Sequence, residues 1–441
     1  MSMATQGAKH RLPWAKVSIG LFVSLFVMSA AVYARHLQVV TINPSLYPQS
    51  WVQYGLNQHN NAVYAKTVQN QSWSTPLGSS AHGGLSLVKG YVYVGDNADE
   101  VSKLSANTGK KVWTTKLNNE VMTQPLVING SVFVGTGNNQ FQPSGIRGTG
   151  QNEIASLNSK TGKIQWTIPT RAEDMPSLVY SHGLLYGVNG AGTLRAINPT
   201  TGHVEWQISL NGIDSMDSPV IHNGMLYVGL SKPYDVVAVN LSTHHIVFRT
   251  PIQDAQLALD DSAISYGQGM IYAESAAIKQ DPLNQETVWG INAKTGAVEW
   301  RFTEPSGAKL TPEEYEAAAP VFHRGVVYFG TPFGKKLYAV NATTGALDWQ
   351  VNLRDAANQT PVIIHNDVVV GDAGGTFYVI NKQNGHILAT KQLPKNEIFT
   401  NGAPMVVNDV FYSPTAVPKK SGSVTAIALT PLDPNINKSS T

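Results

Sequence analysis

Residues 337–349 read Leu337-Tyr338-Ala339-Val340-Asn341-Ala342-Thr343-Thr344-Gly345-Ala346-Leu347-Asp348-Trp349, and this stretch decides the fold. An aliphatic and aromatic run ends in Asn, a Thr-Thr-Gly turn follows, and a Trp stands four residues beyond the Gly. Runs of that composition favour extended backbone, and Gly supplies the left-handed residue that a type I turn with a bulge requires, so the stretch predicts two paired strands. The same Gly and Trp recur at Gly109 and Trp113, Gly162 and Trp166, Gly202 and Trp206, and Gly296 and Trp300. A unit repeated at this spacing implies stacked supersecondary modules rather than one mixed core.

A second marker checks the first. Lys89-Gly90, Asn129-Gly130, His182-Gly183, Asn223-Gly224, Gln268-Gly269, Arg324-Gly325, Asn366-Asp367 and Asn408-Asp409 each separate two apolar runs, such as Leu126 to Ile128 and Ser131 to Gly135. Residues that accept a positive φ make two-residue hairpin turns there. The turns recur at a mean spacing of about 46 residues, which suits a four-stranded propeller blade. Strand A precedes the dipeptide, strand B follows it, strand C is a run such as Leu337 to Asn341, and strand D carries the Trp.

Two units depart from the pattern. The fourth has Ser242-Thr243-His244-His245 at the C to D turn and Phe248 in the Trp place, and the seventh keeps Asn384-Gly385 but has Ala389 where the aromatic should stand. The eighth has strands A to C near Ala403 to Val407, Val410 to Ser413 and Ser423 to Leu429, then meets Pro431 without a strand D. Ser72-Trp73-Ser74, upstream of the first unit, has no strands of its own. The economical arrangement is an all-β, eight-bladed propeller in which the Trp73 strand completes the last blade and leaves no unpaired edge.

Composition agrees. In 441 residues, 39 Gly and 24 Pro suit many short strands and turns, and 42% hydrophobic content is ample for a large core. The formal net charge of +2 owes three positive charges to Lys9, Arg11 and Lys16, so the rest has no basic surplus for nucleic acid. That basic segment, the apolar Val17 to Val32 and the small residues of Val32-Tyr33-Ala34 form a targeting signal, either cleaved or kept as an N-terminal membrane anchor over residues 17–34. Both outcomes leave the propeller exported, periplasmic or extracellular, with the positive flank inside. Cys is absent, so neither disulfides nor a lipid-bearing Cys contribute. The expected division is residues 1–34 as signal or anchor, 35–70 as linker and lead-in around Trp51 to Gly55, 71–430 as propeller and 431–441 as tail.

The units 337–349 and Leu194-Arg195-Ala196-Ile197-Asn198 through Gly202 and Trp206 resemble the pyrroloquinoline quinone (PQQ) repeat, over about residues 51 to 430. In that family the Trp residues dock blade on blade, and many members lack the quinone. The resemblance implies one of three functions. Quinoprotein dehydrogenases hold PQQ and calcium beside a vicinal Cys pair, which this Cys-free chain cannot supply. Propellers similar to BamB act in outer-membrane assembly without cofactor, normally as lipoproteins. Propellers similar to the tetrathionate hydrolases also lack the quinone and are implied to use channel carboxylates. The expectation is a cofactor-free binding or assembly module, with a hydrolase as the alternative and a PQQ-dependent dehydrogenase third.

The site is expected on one face. The A to B and C to D turns are uniformly short, whereas Thr136 to Gln151, Gln253 to Asp261, Glu274 to Glu286, Glu304 to Ala318 and Pro414 to Ser421 vary in length, and loops on a rigid scaffold usually carry binding or chemistry. An envelope protein or a small molecule is the partner expected there. Strand A begins at Pro-centred steps lining the channel. Two positions before the Pro stand Thr123, Asp174, Asp217, Asp261, Ala318, Gln359 and Gly402, with Ala263 in place of Pro in blade five and a register there uncertain by one residue. Asp174, Asp217 and Asp261 are therefore the candidate catalytic residues, since adjacent carboxyls repel and one is driven to hold a proton beside an ionised base. The same arc could hold a hard cation such as calcium, or each Asp could cap a turn through its own backbone. Arg147, within Gly145-Ile146-Arg147-Gly148-Thr149-Gly150, is an anion contact or part of a turn that Gly permits. His244-His245 has no third ligand at metal spacing and reads as a surface turn.

Overall fold

The computed structural model describes residues 63–64, 72–278, 285–305, 307, 318–429 and 432. The expected targeting segment, most of the expected linker with Trp51 to Gly55, and most of the expected tail lie outside the described residues. Within them are eight sheets, each built on four antiparallel strands. The first comprises Ser86–Val88, Tyr91–Asp96, Glu100–Ser105 and Lys111–Lys116. The A strands of successive blades neighbour one another around the axis. Among the described residues no helix is long and apolar enough to cross a membrane.

The ring closes as the sequence predicts. Trp73–Pro76 pairs antiparallel with Ser421–Ala428, in the register Trp73 with Ala426 and Pro76 with Ser423, and so becomes the outermost strand of blade eight. A two-residue strand, Val63–Tyr64, lies parallel to the innermost strand of blade seven, Val362–Ile364. Two expected loops are entered by strand from both sides. Met270–Ala277 and Gln285–Asn292 extend blade five into both ends of Glu274 to Glu286, and Val410–Val417 with Ser421–Ala428 reduce Pro414 to Ser421 to a tight hairpin. Their polar residues are carried by continuous ladder pairing, Ala276 with Glu286 and Thr415 with Ser423, which the charge pattern disguised.

Blade docking explains the Gly and Trp spacing. Each Trp indole lies against the turn Gly of the next blade: a Cβ added at Gly162, Gly202, Gly345 or Gly385 would come within 2.6 to 2.8 Å of the ring of Trp113, Trp166, Trp300 or Trp349. These glycines have φ of 69° to 73°, so the position needs a left-handed residue without a side chain. The indole N–H then donates to a carbonyl of that next blade, Trp166 to Pro199 at 3.1 Å, Trp300 to Ala342 at 2.9 Å, Trp349 to Lys382 at 2.9 Å and Trp73 to Ala106 at 2.7 Å. The irregular blades obey the same logic. His244, at φ 59°, replaces the Gly and stacks its imidazole on Trp206 at 4.3 Å. Ala389 faces blade eight, where the chain runs on from strand C without a C to D turn, so there is no turn Gly for an aromatic to cover.

Candidate functional site

The three predicted Asp residues stand just ahead of the innermost strands of blades three, four and five, but they play different parts. Asp217 accepts backbone N–H bonds from Gly229 at 2.6 Å and Ile264 at 3.0 Å, tying blade four to blade five. Asp174 accepts from the Thr170 hydroxyl and lies 3.4 Å from the Arg195 guanidinium. Burial pushes Asp174 up to about 6 even though Arg195 and Thr170 pull the other way. Asp261 stays half-buried, its N–H donating to Ala258 at 2.8 Å. Asp217 is thus a structural tie of the kind the capping alternative anticipates, made to neighbouring strands rather than to its own turn.

Three further carboxyls complete the arc: Glu173, Asp214 and Asp260. Residues 215–217 wrap around one carbonyl, and the N–H groups of Ser215, Met216 and Asp217 all reach the Asp260 oxygen at 2.8 to 3.0 Å. That wrap carries Asp214 inward beside Asp217 and Asp260. Ser231 donates its hydroxyl to Asp260 at 2.5 Å. Burial, then the charge of Asp261, pushes Asp260 up to about 7. Both Asp214 side-chain oxygens are buried without a hydrogen-bond partner. Burial raises Asp214 well above the usual carboxylate range, and Asp217 and Asp260 add repulsion. Asp214, Asp217 and Glu173 are 0% exposed, Asp174 4% and Asp260 5%, so the arc is sealed from solvent on most of its length.

The long loop 136–151 supplies the counter-charge. Arg147 Nε lies 2.7 Å from a Glu173 carboxyl oxygen, an ion pair off the axis of an aligned hydrogen bond, and the two backbones are joined by Glu173 N–H to Arg147 O at 3.0 Å. Gly148, at φ 92°, lets the loop lie against the Glu173 backbone, where a Cβ would clash. Arg147 therefore does contact an anion, an internal one. Glu173 is nevertheless raised well above its ordinary value, burial outweighing the guanidinium. His244 serves blade packing, as described. Chemically the arc gathers buried carboxyls, Glu173, Asp174, Asp214, Asp217 and Asp260, whose hold on protons burial strengthens.

Among the described residues no group of three or more His, Cys, Asp or Glu is arranged to hold a metal ion. Arg147, the cation of the long loop, is engaged by Glu173. Trp113, Trp166, Trp300 and Trp349 are turned between blades, each bonded to the next.

The sequence profile of the family described as outer membrane protein assembly factor BamB matches residues 61–214, 134–273, 190–362 and 284–431. Tetrathionate hydrolase of Acidithiobacillus ferrooxidans is 28% identical over 290 residues, 62% of this chain and 56% of that protein, so the match spans little more than half of that relative. BamB of Yersinia pestis is 24% identical over 342 residues, 71% of this chain and 77% of that protein. Among solved structures, BamB from Moraxella catarrhalis superposes with a TM-score of 0.59 at 18% identity, covering 82% of this chain and 97% of the other. The quinohemoprotein alcohol dehydrogenase ADHIIG from Pseudomonas putida gives 0.64 at 15%, covering 88% and 81%. These two likenesses concern the fold.

Proposed function

Because this chain belongs to the PQQ-repeat family described as outer membrane protein assembly factor BamB, we propose that it is an exported binding or assembly module of the cell envelope. It works without PQQ, and its partner, an envelope protein or a small molecule, is met on the long-loop face. The observation that carries this reading is the sealed mouth: the arc is buried, and Asp174 and Asp217 are engaged in ties within and between blades, so the exposed part of that face is loop. Phe141 stands 48% exposed on the longest of these loops, with Lys232 Nζ 4.4 Å from its ring, a surface suited to partner contact. Photo-crosslinkers placed at Gln140 and Gln253 in intact cells should form discrete adducts, and those at Lys160 and Lys294 on the short-turn face should not. Equal yields from the two faces would refute the assignment.

A second reading has one observation in its favour. Asp214 is buried beside two other acids with both oxygens unpartnered, and a relative 28% identical over 290 residues is named a tetrathionate hydrolase. Under this reading the chain is a cofactor-free hydrolase whose reacting carboxyls are Asp214, Asp260 and Asp261, with Asp174 and Asp217 positioning them. Tetrathionate hydrolysis by wild type and by Asp261→Asn at acidic and neutral pH separates the two. Turnover by wild type that the substitution abolishes supports the hydrolase, and absence of turnover at both pH values removes it.

A further inference from the structure

Blades four and five place an arginine at the same point of their outermost strands, one residue after the docking aromatic: Arg249 follows Phe248 and Arg301 follows Trp300. In blade four the guanidinium is neutralised. Arg249 lies 3.0 Å from Asp235, two residues upstream of its cross-strand partner Val237, and also donates to the Leu210 carbonyl. In blade five the position matching Asp235 is Thr287, two residues upstream of Trp289, the partner of Arg301. Arg301 accordingly forms no ion pair among the described residues, and its guanidinium rests 5.8 Å from the Trp289 ring.

The consequence is a polar cleft. Register stacks Ser275, Thr287 and Thr303 in one row across the sheet and Ala273, Trp289 and Arg301 in the next, on the side facing blade four. The loop after blade four's last strand brings Gln253 and Asp254 over them, and with Ser275, Ala277, Gln285, Thr287, Trp289, Arg301 and Thr303 these line a cleft of about 260 Å³. Trp289 is fixed by its N–H to the Ser275 hydroxyl at 2.8 Å, and the Thr287 and Thr303 hydroxyls meet at 3.0 Å. A guanidinium on an aromatic ring beside hydroxyl donors is built to receive an anion, and a carboxylate or sulfonate matches its forked donors. The Asp254 carboxylate, also on the cleft wall, suits a hydrogen-bond donor and opposes a second negative charge. We infer that this cleft binds a small organic anion, a carboxylate or sulfonate carrying a hydrogen-bond donor at its other end.

Calorimetric titration of the exported chain with taurine tests the inference. Saturable binding is expected, weakened about tenfold or more by Arg301→Gln and equally by Thr287→Asp, which rebuilds the blade-four ion pair, while Thr287→Ser should stay within about twofold of wild type. Methanesulfonate, which lacks the amine, should bind wild type more weakly and gain affinity in Asp254→Asn. Thermal melts confirm that each variant is folded. No saturable binding of taurine to wild type, or binding that Arg301→Gln and Thr287→Asp leave intact, would overturn the inference.

Discussion

At the entry to the innermost strand, blades three to five place Asp174, Asp217 and Asp261, whereas blades six to eight place Ala318, Gln359 and Gly402. The neutral half solves the same packing problem with an amide: the buried Gln359 amide nitrogen donates to the Thr400 carbonyl and the Ser413 hydroxyl, each at 2.8 Å, the Gly402 carbonyl at 3.3 Å sharing one of the two protons. Its core is also continuous, one apolar cluster running through blades six, seven, eight and one and sealing the seam where the chain ends meet. Blades two to five instead pack through smaller clusters, each shared between neighbours. The difference teaches that closure rests on the half whose strand entries are neutral, while the half with acidic entries holds groups there whose stability contribution depends on protons. A second acidic group marks the boundary: Glu274 faces Glu286 carboxyl to carboxyl beside Glu304, and burial pushes Glu304 up to about 7.

The largest expected effect is therefore on pH dependence. Asp174, Asp260 and Glu304 have folded values of about 6, 7 and 7, above their unfolded ones, so the folded state holds more protons between about pH 4 and pH 7. The associated stability is complete below about pH 4 and is lost as pH rises through 6 and 7. The melting temperature should fall by on the order of 5 °C or more between pH 4 and pH 8. A flat or rising profile in differential scanning calorimetry would break the contrast between the halves.

Next in size, Gln359→Ala should cost about 2 to 3 kcal/mol in chemical denaturation, because it strands buried acceptors, and by the same amount at pH 4 and pH 8. A loss confined to one pH would show that the neutral half is not neutral. Asp217→Asn should have a smaller, pH-dependent effect. At pH 4 it loses about 1 kcal/mol, since one amide end can no longer accept both backbone N–H groups, and at pH 8 relief of repulsion with Asp214 and Asp260 offsets that loss. Parallel stability curves for the variant and wild type would contradict this. Smallest is His244→Ala, about 0.5 to 1 kcal/mol from the lost stack on Trp206 and independent of which half is charged.

Much of this architecture was legible in the residues. Gly345 and Trp349 announce their blade because a left-handed turn and a docking ring are both local demands, and Trp73 announces closure because a lone strand needs a sheet. Asp174, Asp217 and Asp261 were findable through their common distance from strand A. Glu173, Asp214 and Asp260 were not, since their placement follows from a loop wrapped on the Asp260 carbonyl and from Arg147 reaching across, neither of which has a period. A signal did exist: Glu173-Asp174, Asp214 with Asp217, and Asp260-Asp261 give each acid blade two carboxyls within four residues. The Arg301 cleft was hidden for the opposite reason, since it arises from an absent Asp at the Thr287 position and becomes visible only when two blades are superposed.

The central claim, that the arc keeps buried carboxyls protonated near neutrality, is tested most directly by infrared spectroscopy of the protonated carboxyl stretch at about pH 6, where ordinary Asp and Glu are ionised. The account predicts a persistent band in wild type that shrinks in Asp214→Asn and further in Asp214→Asn with Asp260→Asn. Full ionisation of wild type at that pH, or a band that both variants leave untouched, would contradict it.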